Sequence, residues 1–180
     1  MRFPGGGAPM VDLNMRTRYQ LETGACISNY NGDLKLYATK DSIFSTNGFR
    51  VFGGRIYDWG ETTNGVLILP IDGDTINFLV FYIASGVCSP VSICPRVAQV
   101  RTHPNGDSVV AHYSLGQYDP LYSISEKLSA VKDAGGTGWW VFYHGESNNK
   151  FIRFKVNGDQ VSSLTIQAIG SSYEYVGLNA

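Results

Sequence analysis

Apolar residues come along this chain in short runs broken by glycine, asparagine and aspartate, the layout of strands joined by tight turns. One complete unit of the pattern lies in residues 126–156, EKLSAVKDAGGTGWWVFYHGESNNKFIRFKV. An apolar run at 128–131 meets the glycines Gly135, Gly136 and Gly138 and returns as a second run at 139–143, a predicted hairpin. After the polar break at Ser147, Asn148 and Asn149, a third run at 151–156 reaches Asn157-Gly158-Asp159, and a fourth follows at 164–169. The spacing predicts four strands running up and down.

The unit occurs twice upstream. In the first copy 24–28 turns through Asn31-Gly32-Asp33 into 34–37, and 43–44 turns through Asn47-Gly48 into 49–52. In the second, 65–69 turns through Asp72-Gly73-Asp74 into 76–83, and 97–101 turns through Asn105-Gly106-Asp107 into 108–115. Asn-Gly and Asp-Gly suit the turns that match strand twist, because such turns require positive φ. An EF-type calcium loop needs further oxygen ligands and a glutamate at fixed spacing, which these turns lack.

One passage pulls the other way. Ser123 and Glu126 form a capping-box pattern, Ile124, Leu128 and Val131 fall on one helical face, and Gly135 suits a C-cap. Taken alone, 123–134 reads as a short helix. Aligned with the repeat, 128–131 takes the place of Cys26-Ile27 and Leu67-Ile68, and the repeat decides for a strand, since tertiary context overrides propensity over so few residues.

Four-stranded units of roughly 40–50 residues are the blades of β-propellers. The expected fold is therefore all-β: a partial β-propeller of three four-stranded, antiparallel, WD40-like blades. The leading segment 1–21 holds Val11-Asp12-Leu13-Asn14, which alternates like a lone strand closing a ring. Residues 22–60 form the first blade, 61–122 the second and 123–180 the third. Because a ring takes about four to eight blades, the expectation is a fragment of a larger one, with its remaining blades or domains on a longer chain.

Composition fits this picture. A chain of 180 residues, 43% hydrophobic and 13% aromatic, has the material for one core, and its 21 glycines and 11 tyrosines suit a turn-rich β-protein. A net charge of −1 lacks the concentrated basic face that nucleic acid or an anionic membrane attracts, so neither is an expected partner. No apolar run is long enough for a membrane-crossing helix. MRFPGGGAP is not a secretory signal, and export would need a native signal removed ahead of Met1. Cys88 and Cys94, in a loop with Pro90 and Pro95, are a candidate disulfide suited to an oxidising compartment. Cys26, inside a strand, is expected to be buried as a small apolar residue.

The opening FPGGGAPMVDLN resembles the start of the amino-terminal region of large gliding-motility-associated, type IX-secreted surface proteins of Bacteroidota. The likeness continues through ETGACISNYNGDLKLYAT and GVLILPIDGDTINFLVFYIA. It is most specific in residues 126–151, where Glu126, Lys127, Leu128, Ala130, Val131, Lys132, Gly136, Trp140, Val141, His144, Ser147, Asn148 and Phe151 keep type and spacing. The resemblance implies a secreted or cell-surface protein with a propeller-like amino-terminal part, ahead of adhesive modules and a sorting domain. It carries no catalytic residues.

The chemistry must come from the residues themselves. His144 and Glu146, with His103 and His112 elsewhere, are the main acid–base material, and a histidine at a strand end ordinarily bonds neighbouring backbone. No Walker loop or nucleophile elbow is present, and Gly5 to Gly7 lack the lysine that follows in a phosphate loop. No cofactor, metal ligand set or catalytic group is therefore expected. Trp139 and Trp140 are adjacent, so in a strand they face opposite ways. One belongs to the core; the other, with Tyr143, Trp59 or Tyr57, suits either a sugar ring or aromatic packing between blades. The candidate ligand-binding residues are Trp59, Trp139, Tyr143, His144 and Glu146. The expected function is a non-enzymatic scaffold or binding module for adhesion or motility, with a surface glycan or protein as ligand. The alternative is a fragment of a propeller-type glycosidase or other carbohydrate-active enzyme, which requires carboxylates converging with His144 in one pocket.

Overall fold

A computed structural model describes residues 23–56, 64–71, 76–85, 93–115, 124–145, 148–162 and 164–172. Among these the chain is all-β, with no helix and thus none that is long and apolar enough to cross a membrane. The leading segment 1–21, with Val11 to Asn14, and the turn at Asp72-Gly73-Asp74 lie outside the described residues.

The first stretch folds as β1 (Gly24–Ser28), β2 (Leu34–Thr39), β3 (Ser42–Ser45) and β4 (Arg50–Arg55), each antiparallel to the next. The second gives β5 (Val66–Pro70), β6 (Asn77–Ser85), β7 (Ile93–Arg101) and β8 (Ser108–Ser114), again a meander. Asn-Gly turns sit where expected, with Gly32 at φ 82 and Gly158 at φ 58, conformations that an L side chain adopts only at a cost.

These two meanders do not stand apart as propeller blades. They join, fourth strand to fourth strand, into one eight-stranded sheet of order β1-β2-β3-β4-β8-β7-β6-β5. Successive blades around an axis would repeat their strands in the same order, and here the second set is reversed. The sheet curls until its edge strands β1 and β5 meet again, nearly closing a barrel. Side chains from both edges, Ala25 and Ile27 on one and Val66 and Ile68 on the other, pack into the same interior core.

The seam is narrow. β4 and β8 run parallel and share one registered pair, Phe52 with Ser108, where the Phe52 N–H donates to the Asp107 carbonyl at 3.1 Å. His112 crosses the same seam. Its Nε2 lies 2.9 Å from the Gly53 carbonyl and must donate to it, so Nδ1 is left to accept from the Tyr82 hydroxyl at 3.2 Å. A bulge that leaves Val110 unpaired on β8 puts Val109 and His112 on the same, inward side.

The third stretch makes a second sheet: β9 (Ile124–Lys132), β10 (Gly138–Gly145) and β11 (Lys150–Asn157), with β12 (Gln160–Val161) and β13 (Thr165–Ala168) end to end along the far edge of β11. The helix signal at 123–134 loses to pairing: β9 is bonded along β10 from Lys132 to Leu128 and again at Ile124. Leu128 is consequently buried while Val131, on the same predicted helical face, stands 51% exposed on the opposite side of the strand.

β6 holds the two sheets together. Its even residues Phe78, Val80, Tyr82 and Ala84 fill the curled sheet, whereas Leu79, Phe81 and Ile83 pack against Leu128, Val141, Tyr143, Ile152 and Phe154 of the second sheet. A strand covered on both faces reads as an unbroken apolar run, and NFLVFYIAS is one. Alternation also corrects the reading of Cys26. Ala25 and Ile27 point inward, so the thiol between them is exposed, not buried. Cys88 and the side chain of Cys94, the candidate disulfide, lie outside the described residues.

Candidate functional site

The face of the second sheet turned away from β6 is built by simple alternation. Trp139, Val141 and Tyr143 point into the core, so Trp140, Phe142 and His144 point out. Antiparallel pairing with β11 sets Lys155 opposite Trp140, Arg153 opposite Phe142 and Phe151 opposite His144. On the β9 side Val131 lies beside Trp140 and Ser129 beside Phe142. The result is a patch three strands wide in which aromatic and cationic side chains are direct neighbours.

Their contacts are specific. The His144 and Phe151 rings meet edge to face at 4.7 Å between centroids. The Arg153 guanidinium carbon lies 5.2 Å from the centre of the Trp140 ring and the Lys155 Nζ 5.0 Å from it, both within cation–π range. The Nε of Arg153 is buried with no hydrogen-bond partner among the described residues. Beside these lies an open groove of about 360 Å³, lined by Lys127, Ser129, Phe142, Tyr143, His144 and Phe151. That volume falls at the small end of ligand sites, which run from about 300 to 1,000 Å³.

Of the residues singled out in the sequence, His144 stands on this face. Tyr143 does not: its side chain is fully buried on the other side, edge to face with Phe154. Burial pushes its phenol far above the usual range. Trp139 likewise belongs to the inner side, packed at the core margin with the Lys132 ammonium 4.3 Å from its ring centre. The correction has a plain cause, since the strand's parity assigns Trp140 rather than Trp139 to the outer face. Trp59, Tyr57 and Glu146 lie outside the described residues. Trp140, Phe142, Phe151 and Arg153 were missed, although counting in twos from His144 finds the first two.

The other histidines are spent on structure. His103 caps the β7–β8 turn, its Nδ1 accepting from the Asn105 N–H at 3.1 Å, and His112 spans the seam. The three are not brought together.

One end of the face is fixed by a carboxylate. Asp133 accepts at Oδ1 from the Thr137 and Gly138 N–H groups, at 3.1 and 3.2 Å, and its Oδ2 pairs with the Lys155 ammonium. The bond from Lys155, helped by those backbone donors, holds the Asp133 carboxyl below its usual range. A carboxylate with a depressed folded pKa adds stability that is present above its unfolded pKa and lost as pH falls through the folded one. Asp133→Asn keeps an Oδ1 acceptor but loses the charge. It is expected to unfold at lower urea than the parent at about pH 7, with the gap closing toward about pH 2. Equal midpoints at neutral pH would show that the pair contributes nothing.

Comparison with protein-family models, with curated proteins and with solved structures found no match for this chain.

Proposed function

We propose that the chain is an exported, non-enzymatic cell-surface module that holds a ligand on the outer face of its second sheet. The observation that carries this reading is the group Phe142, His144 and Phe151, rings on an outer sheet face that line an open groove, with Trp140 next along the same face. Rings of this kind, part buried and part open, supply contact area at small entropic cost, which suits binding to an extended polymer. Export to the surface rests on the likeness of residues 126–151 to secreted motility proteins. The glycosidase reading draws less support: His144 reaches the groove, but the described lining contributes no carboxylate beside it.

A glycan array probed with the chain tests the reading. Binding is expected, and Phe142→Ala, on the solvent side of a strand, is expected to weaken it about tenfold with the circular dichroism spectrum unchanged. Retained binding in Phe142→Ala and Phe151→Ala alike would move the site elsewhere, and cleavage of any bound glycan would overturn the non-enzymatic assignment.

A further inference from the structure

We propose that the ligand on this face is an acidic polysaccharide, one whose sugar rings carry carboxylates. The inference rests on the binding role just proposed and adds to it the chemistry of the partner. The outer face of the sheet offers two things side by side. Phe142 and Phe151 present flat apolar surface for the C–H face of a pyranose ring, and Arg153, directly across from Phe142, presents a planar guanidinium. That guanidinium leans on Trp140, and its Nε is buried with no hydrogen-bond partner among the described residues. Guanidinium forks match carboxylates in two parallel bonds, which makes arginine the side chain suited to them.

Charge points the same way. Among the described residues, the one acidic group paired on this patch, Asp133, is already taken by Lys155, and no salt bridge engages Arg153. A neutral sugar can accept hydrogen bonds from the guanidinium but leaves its charge unpaired, whereas an anionic one answers the charge as well. Single-stranded nucleic acid also combines rings with negative charge, but it calls for a basic track along the backbone, and the chain as a whole carries a net charge of −1.

The test is titration of the folded chain with polygalacturonate, alginate and hyaluronate, with the carboxyl-reduced form of each, and with oligothymidylate. Saturable binding to at least one polyuronate is expected, weakened about tenfold or more by carboxyl reduction and by Arg153→Gln, less by Arg153→Lys, and weakened by added salt. If the reduced polymers bind as well as the acidic ones and Phe142→Ala still weakens binding, the acidic-ligand inference fails while the binding face stands. If no polymer binds, or if the Phe142→Ala variant binds them all unchanged, the face itself is wrong. Tighter binding of oligothymidylate than of any polyuronate overturns the proposal in favour of nucleic acid.

Discussion

Phe81→Ala is expected to cost about 3–5 kcal/mol, the range for removing a large aromatic side chain from a packed core. The ring is fully buried on the side of β6 that meets the second sheet, between its cross-strand neighbours Leu67 and Val97. The cavity cannot collapse easily, because β6 is held on its other face by Val80 and Tyr82 in the curled sheet. Urea unfolding followed by tryptophan fluorescence reports largely on the second sheet, through Trp139 and Trp140, and far-UV circular dichroism reports on both. The two curves are expected to shift together. A loss below about 1 kcal/mol, within the ordinary range for mild substitutions, would mean that this ring does not join the sheets. Phe52→Ala serves as the control, since that ring is 84% exposed and its removal should stay within about 0.5 kcal/mol.

Gly138→Ala is expected to destabilise by about 1–3 kcal/mol, the cost of forcing atoms into filled space. Gly138 opens β10 opposite Asn157. A methyl there would lie 2.5 Å from the Val156 carbonyl oxygen and 2.6 Å from the Asn157 Oδ1, and the first of these is main chain, which cannot swing aside. The hairpin must shift, and it carries Asp133, whose N–H donates to the Gly138 carbonyl at 2.9 Å and whose carboxylate holds Lys155. Faster amide exchange at Thr137 and Gly138 should accompany the lower urea midpoint. Gly135→Ala, three residues earlier, meets nothing nearer than 3.7 Å and should be close to neutral. Equal midpoints for the two variants would refute the steric account.

Much of the strand content was legible because it is written locally. Asn-Gly at 31–32, 47–48 and 157–158 marks turns that the chain does make, and the repeat correctly overruled the helix signal at Ser123 and Glu126. What escaped was non-local. Nothing in the local pattern around Phe52 or Ser108 says that these two strands will pair in parallel, and one bridge there converts two expected blades into a single curled sheet. The site was half legible for a related reason. Alternation states that Trp139 and Trp140 part company, but which of them meets β6 is decided by the other sheet. Choosing Trp139 and Tyr143 placed two candidates in the core, while Trp140 and Phe142 lay one position away in the outward parity that His144 already marked. Arg153 could be found only through its register with Phe142.

The sharing of β6 has a bearing on how the polypeptide can be cut. A truncated version ending after Ser114 would expose Leu79, Phe81 and Ile83 to water as a greasy stripe, and the complementary piece beginning at Ile124 would bare Tyr143 and Phe154. Each half would clump or capture whatever oily surface it met. The two sheets are thus an indivisible pair, to be expressed and inherited as one block.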